Sequence, residues 1–382
     1  MNQSSKSDRT SAFRQYLILV LLLAILVILA NGLWRYVRAN SVPEQITFGA
    51  HFDANETYFA FFHVVSETEY GVVLYNAETD ETKLFTSSEK VLRSPRFSPN
   101  TAQIYLSADP LLNTDTTSSD ANTGTFTSNL YKCNIANDSC DRQFDFLGSI
   151  RDTAELSDGN ILFSGARTSN VADPWTPENI VVDYRNSDFY LFDQNTRAIE
   201  KLTNLHAVGL RPISVAERLV AFQLLPTPQM RNKYGHVNNS IYLASLNTDD
   251  QFIDLPKAIT KPFVSYGTSF NGRPSLSPDG RHLAFVAATS RPEAGGYVYV
   301  FAVADVLTKS VVEVIAPMKT ANANTLSMPI FIDNTTIRYM QLAGREYSFW
   351  QYSLLNGEAE LIRRLKLSDI AMAERVEISM AW

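Results

Sequence analysis

Cysteine occurs only twice in the 382 residues, at positions 133 and 140, and histidine only five times, at 51, 63, 206, 236 and 282. Two cysteines are too few for a disulfide-dense scaffold or a four-thiolate metal centre. No histidine lies at ligand spacing to them, so neither a metal nor a cofactor is expected. Charge is sparse too: Asp, Glu, Lys and Arg make up 19% of the chain. The balance is acidic, −7 overall and −11 for residues 41–382, which carry 28 basic against 39 acidic residues. A body that acidic is a poor partner for nucleic acid or an anionic membrane surface. Catalytic signatures are also missing. There is no G-x-S-x-G, Walker loop, Rossmann glycine run, H-E-x-x-H or EF-hand loop, and GTSFN at 267–271 lacks the final glycine.

What is present begins with an apolar run. Residues 16–34, YLILVLLLAILVILANGLW, hold no charge over 19 positions, enough for a helix to cross a bilayer core of about 30 Å. The run exceeds the usual hydrophobic stretch of a cleaved signal peptide, the competing reading. Tyr16 and Trp34 stand where interfacial aromatics would. Lys6, Arg9 and Arg14 precede it and Arg35 and Arg38 follow, a bias toward an N-inside orientation in the inner (cytoplasmic) membrane. The expected organisation is a cytoplasmic segment 1–15, a transmembrane helix 16–34, a linker 35–45 and an exported body 46–382. Cys133 and Cys140 sit on the two arms of a short hairpin in NLYKCNIANDSCDRQF. Strand alternation can set them opposite each other, and a disulfide there fits an oxidising compartment; two unpaired thiols are the alternative. N-x-S/T sequons at Asn55, Asn137, Asn238 and Asn334 are also compatible with a eukaryotic secretory protein.

The body is built from repeats. RPSLSPDGRHLAFVA (273–287) reads as two apolar strands around a turn, in which Pro278 pre-sets φ and Gly280 takes the left-handed region. Related hairpins are HFDANETYFAF (51–61), PRFSPNTAQIYL (95–106), AELSDGNILF (154–163), PISVAERLVAF (212–222) and PIFIDNTTIRYM (329–340). The apolar residue before each turn is Phe52, Phe97, Leu156, Ile213, Leu276 and Phe331, spaced 45–63 apart. A second hairpin type alternates with the first, at 72–86, 129–144, 189–203, 240–255, 297–315 and 349–365. Each pair of hairpins makes a four-stranded unit that cannot bury both faces alone, and radial repetition buries them. The expected fold is all-β, a six-bladed β-propeller closed by a terminal strand. RVEISMAW (375–382) alternates Val376, Ile378, Met380 and Trp382 on one face. IAMAERVEI (370–378) echoes ISVAERLVA (213–221), so a partial seventh blade is the alternative.

The pattern P-x-[FL]-S-P-[ND], best seen at Pro95–Leu106 and Pro274–Phe285, resembles the WD40-like repeat of the TolB propeller over roughly residues 46–366. The resemblance implies a propeller fold and a protein-interaction role at the bacterial cell envelope. TolB carries an α/β domain ahead of its propeller; here the apolar segment and linker occupy that place.

Loop lengths point to one rim. With strands named a to d outward, the a–b turns are all short. The b–c connections carry insertions at 109–128, 165–188, 226–239 and 289–296, in blades 2 to 5. Long connections in compact domains are usually functional or disordered. The third and fourth blades supply Asp173, Trp175, Tyr184, Arg231, Tyr234 and His236, aromatic and Arg side chains typical of interface anchors. The reading favoured is a non-catalytic protein-binding or scaffold module with a protein partner at the membrane or cell envelope and no nucleic acid. Two alternatives are a propeller lyase or cyclase acting on a polysaccharide or peptide, and a sensory or regulatory ectodomain. Propeller peptidases need a separate α/β-hydrolase domain, which the 16 residues after 366 do not supply, so that class is not expected.

Overall fold

Two kinds of turn, alternating along the chain, cut it into short strands. The computed structural model describes residues 51–52, 58–64, 70–88, 90–98, 102–110, 127–168, 182–205, 207–225, 240–252, 257–258, 271–291, 296–314, 329–343 and 345–378, all within the unit Gln45–Trp382. The expected membrane span 16–34 lies outside them. Among the described residues no helix is long and apolar enough to cross a membrane.

The strands fall into successive four-stranded antiparallel meanders, six among the described residues. The first comprises β1 (His51–Phe52), β2 (Tyr58–Val64), β3 (Tyr70–Asn76) and β4 (Thr82–Thr86). The second is β5 (Lys90–Phe97), β6 (Gln103–Pro110), β7 (Thr127–Asn134) and the first half of β8 (Cys140–Glu155). The second half of β8 opens the third, with β9 (Ile161–Thr168), β10 (Val182–Phe192) and β11 (Ile199–Lys201). The fourth is β12 (Val208–Ala216), β13 (Leu219–Leu225), β14 (Ser240–Ser245) and β15 (Lys257–Ala258). The fifth is β16 (Asn271–Leu276), β17 (His282–Arg291), β18 (Gly296–Asp305) and β19 (Val311–Val314). The sixth is β20 (Ile330–Phe331), β21 (Thr336–Ala343), β22 (Glu346–Ser353) and β23 (Ala359–Lys366). Because β8 is shared, the second and third meanders form one seven-stranded sheet. The chain bends at Gly148 (φ 138°), where a Cβ would stand 2.3 Å from the Ala166 carbonyl oxygen.

The turns repeat faithfully. Each c–d turn opens on a residue whose side chain accepts backbone N–H bonds: Asn76, Asn134, Asp193, Asn247, Asp305 and Ser353. Each also places one residue in the left-handed region, at Asp80, Asp138, Arg197, Asp250, Lys309 and Gly357, with φ between 55° and 72°. Asp and Gly tolerate that conformation, whereas Arg197 and Lys309 bear a local cost. Gly280 has φ 68°, as its SPDG turn requires.

Among the described residues, apolar clusters join each meander to the next. Along β17, Leu283 and Phe285 pack on the fourth meander while Ala284 and Val286 pack on the sixth. On β9, Phe163 faces the second meander and Leu162 the fourth. The sixth meander also packs on the first: the tilted ring of Phe349 lies 4.4 Å from Phe59 and Tyr347 lies 4.6 Å from Phe61, centroid to centroid. Burying each such large side chain contributes roughly 1.5–3 kcal/mol.

First strands lie together at the centre; fourth strands such as β11 and β23 are largely exposed. Four first strands carry β-bulges, between Arg93/Arg96, Ile150/Asp152, Leu210/Ile213 and Gly272/Ser275. Pro95, Pro212 and Pro274 occupy three of them, where a missing N–H costs the ladder nothing. Side chains then tie the first strands of the second to the sixth meanders in sequence. Arg96 pairs with both oxygens of buried Asp152, which also accepts the Ile213 N–H at 2.7 Å. The Ser214 hydroxyl accepts from Leu276 N–H at 3.0 Å, and the Ser275 hydroxyl from Phe331 N–H at 3.1 Å.

The end of the chain returns to the first meander. After a five-residue helix α1 (Leu367–Ala371), strand β24 (Glu374–Glu377) pairs parallel with β4. Val376 and Ile378 point into the core between the first two meanders, as the alternation expected; Met380 and Trp382 lie outside the described residues. The segment 370–378 that echoes a seventh repeat begins in the last two residues of this helix and continues as the single strand β24, where its counterpart at 213–221 forms a hairpin. Asp369 caps the helix start, accepting the Lys366 N–H at 3.2 Å.

His63 sits in the seam between the sixth meander and the first, its Nδ1 hydrogen-bonded to the Tyr347 hydroxyl at 3.4 Å. Burial lowers its pKa from 6.5 to about 4. The unfolded chain therefore takes up this proton first, so the contribution is complete above pH 6.5 and lost as pH falls toward 4. The full swing is on the order of 3 kcal/mol. His63→Gln should flatten the rise of stability with pH across this window, measured by denaturant titration; an unchanged slope would contradict the assignment.

Candidate functional site

Antiparallel order puts all b–c and d–a connections at one end of the stack and all a–b and c–d turns at the other. At the b–c end, the chain leaves β6 at Pro110 and returns at Thr127, leaves β9 at Thr168 and returns at Val182, and leaves β13 at Leu225 and returns at Ser240. These departures stand on three consecutive meanders. Asp173 and Trp175 (within 169–181) and Arg231, Tyr234 and His236 (within 226–239) lie outside the described residues. Tyr184, expected on a loop, belongs to strand β10. The inserted stretch of the third meander is thus shorter than sequence boundaries implied, because β9 and β10 pair as far as Thr168 and Val182. The fifth meander's connection shrinks to 292–295 for the same reason, with Arg291 paired to Gly296. Continued pairing satisfies backbone groups that a loop would leave to water.

Beneath the first of these departures lies a polar floor. Buried Asp109, near the end of β6, accepts hydrogen bonds from the hydroxyls of Ser128 and Ser149, with Arg93 3.8 Å away. Beside it, Lys90 Nζ donates to the Thr127 carbonyl at 3.2 Å and to Asn129. Asn129 in turn donates to Asp145 at 2.5 Å. Burial works to raise the Asp145 pKa, but the Arg142 guanidinium and the Asn129 amide outweigh it and hold the carboxylate below its ordinary range. Cys133 and Cys140, opposite each other in the β7–β8 register, are joined in a disulfide as expected.

The turn end holds a cleft of about 350 Å³ between the third and fourth meanders. Asp158 and Asn160 reach it from the a–b turn of the third meander, Asp193 and Thr196 from its c–d turn, and Thr248, Asp249 and Asp250 from the c–d turn of the fourth. Glu200 and Leu191 complete the wall. One amide bridges the two meanders: Asn160 Nδ2 donates to Asp158 Oδ2 at 3.0 Å and to Asp250 Oδ2 at 3.1 Å. Arg218 answers from the other side, donating to Asp250 Oδ1 at 3.0 Å. Burial first, then the facing Asp158 carboxylate, raise the Asp250 pKa despite Asn160 and Arg218. Asp193 behaves oppositely. The N–H groups of Thr196 and Asn195 hold its carboxylate below the usual range, so it stays ionised. The carboxylates are placed to attract a cationic group, but among the described residues no three His, Cys, Asp or Glu side chains converge as metal ligands would.

Sequence reasoning missed this cleft. Its residues read as turn formers, and only the packing of two meanders 90 residues apart in sequence (Asn160 to Asp250) brings them together. The signal available was an acid-rich turn in each of two successive repeats, SDGN and NTDD.

Asp250→Asn removes the buried charge beside Asp158, and Asn tolerates the left-handed backbone at this position. Because the folded pKa is raised, the ionised side chain costs stability above that pKa and nothing below the unfolded value. The variant should melt higher than the parent at neutral pH, and the gap should close as pH falls toward 4. A variant less stable at pH 7 would show that Arg218 outweighs Asp158.

No protein-family model and no curated protein sequence matches the chain. Solved structures do. TolB from Acinetobacter baumannii is similar at TM-score 0.51 and 16% identity, covering 85% of this chain and 65% of its own. A candidate TolB from Agrobacterium tumefaciens is similar at TM-score 0.51 and 14% identity, covering 79% and 91%. Hydrazine synthase from Kuenenia stuttgartiensis is similar at TM-score 0.54 and 12% identity, covering 84% and 46%. The chain thus spans less than two thirds of the Acinetobacter and Kuenenia proteins it matches. At these identities the likeness speaks to fold alone, and the fold is a TolB-like β-propeller.

Proposed function

We propose that the chain is a six-bladed propeller, held by residues 16–34 in the inner membrane with its N-terminus inside, that binds a protein partner in the periplasm. The observation that carries the binding role is the departure of three inserted connections from one end of three consecutive meanders. Ring closure needs none of this extra chain, since the first meander makes the same connection within 65–69. The six-blade reading is supported by the contact of each meander with the next and of Phe349 with Phe59. The disulfide supports export to an oxidising compartment. Trp175, Tyr184, Arg231, Tyr234 and His236, with Asp173, are the proposed contact residues, and no cofactor enters this reading.

The test has two arms. An alkaline phosphatase fused after residue 382 should be active and a green fluorescent protein fused there dark; the reverse would overturn the orientation. Crosslinking in the native host should then capture a partner, and Trp175→Ala, Arg231→Ala and Tyr234→Ala should each weaken binding while the melting temperature holds. An anchoring aromatic typically costs about 2 kcal/mol or more on truncation. Full affinity in all three would move the contact to the turn end or the central channel.

A further inference from the structure

Every strand pair among the described residues is antiparallel except one, β24 on β4. Among the described residues, the fourth strands β11, β15, β19 and β23 each end their sheet with no strand beyond, and β8 continues into the third meander. The outer edge of β4 is therefore set apart: it takes an additional strand that the meander does not itself supply. The way it does so is sparing. Glu374, Arg375, Val376 and Glu377 lie beside Lys83, Leu84, Phe85 and Thr86, and the Ile378 N–H donates to the Thr86 carbonyl at 2.9 Å. The Glu377 carboxylate accepts the Ser88 N–H at 3.1 Å. Only two side chains enter the protein, Val376 and Ile378, which pack among Leu74, Phe85, Leu92 and Ile104 in the core between the first two meanders. Glu374, Arg375 and Glu377 stay exposed. Backbone pairing plus alternate side chains in a slot is how an extended peptide is recognised by a sheet edge. The tether is slight, since a helix of five residues separates β24 from the sixth meander.

We propose that the outer edge of β4, with the apolar slot beside it, is a strand-accepting binding site that residues 374–378 fill in cis. Its ligand class is an extended protein segment with aliphatic, preferably β-branched, residues at i and i+2 and no proline between them. An acidic residue between the two anchors meets the Ser88 N–H as Glu377 does. This site lies at the periphery of the first meander and does not depend on the rim reading.

The experiment uses the full chain in detergent micelles and a fluorescent peptide of residues 373–379. In the variant Val376→Asp/Ile378→Asp the cis strand is weakened, and the peptide should bind saturably, at least about tenfold tighter than to the parent, where the tethered strand competes at high effective concentration. A peptide carrying the same two substitutions should not bind. A variant that keeps its thermal transition yet takes up no peptide overturns the proposal. Should the variant fail to fold, hydrogen exchange on the parent decides: the Ile378 amide should exchange at least about tenfold faster than amides of β3, through local opening. Equal protection would mean that the strand leaves only when the domain unfolds, and the proposal fails.

Discussion

A four-stranded antiparallel meander with apolar side chains on both faces has no stable existence alone in water. Here β9 and β17 carry that condition openly, since consecutive residues belong to different interfaces. Each meander is covered only if it has a neighbour on either side, and a row of them leaves two bare faces at its ends. The contacts of Phe349 and Tyr347 with Phe59 and Phe61 cover both of those faces at once. Stability is therefore shared among the meanders, which is why a proton on His63, in the seam between the sixth and the first, bears on the whole domain.

Polar groups inside this stack serve geometry more than net stability. Arg96 and Asp152 are nearly shut off from water, and a buried ion pair gains little over a well-packed apolar pair of the same size. What the pair fixes is position, because Asp152 also holds the Ile213 N–H of the next first strand. The serine hydroxyls at 214 and 275 do the same for the fourth, fifth and sixth meanders with neutral groups. Removing one partner of the ion pair would strand a charge, whereas removing a serine would strand a single N–H, so the costs are expected to differ severalfold.

The two ends of the stack have divided their work. Turn-end residues are chosen by the hairpin: Asn, Asp or Ser first, then a residue able to turn left-handed. That choice alone places Asp193 and Asp250 around the cleft between the third and fourth meanders, so part of its acidity has a structural origin. At the opposite end no hairpin rule restrains the chain, and length accumulates on adjacent meanders without disturbing the strands.

Much of this was determined by the sequence itself. The SPDG and Asx-type turns, the alternation of apolar residues and the pairing of Cys133 with Cys140 are local properties, set within a dozen residues by φ preferences and strand period. The terminal strand was legible for the same reason, through Val376 and Ile378. The tertiary structure alone decided the partners. It sent β24 to the edge of β4 in parallel, ran β8 through two meanders by way of Gly148, and carried the strands of the third meander past Tyr184. It also set Asn160 against Asp250 and Arg96 against Asp152. Those contacts join residues 56 to 90 positions apart, and no local period encodes them. They exist because apolar faces on both sides of each sheet force the meanders together, and the polar groups then meet wherever that packing leaves them.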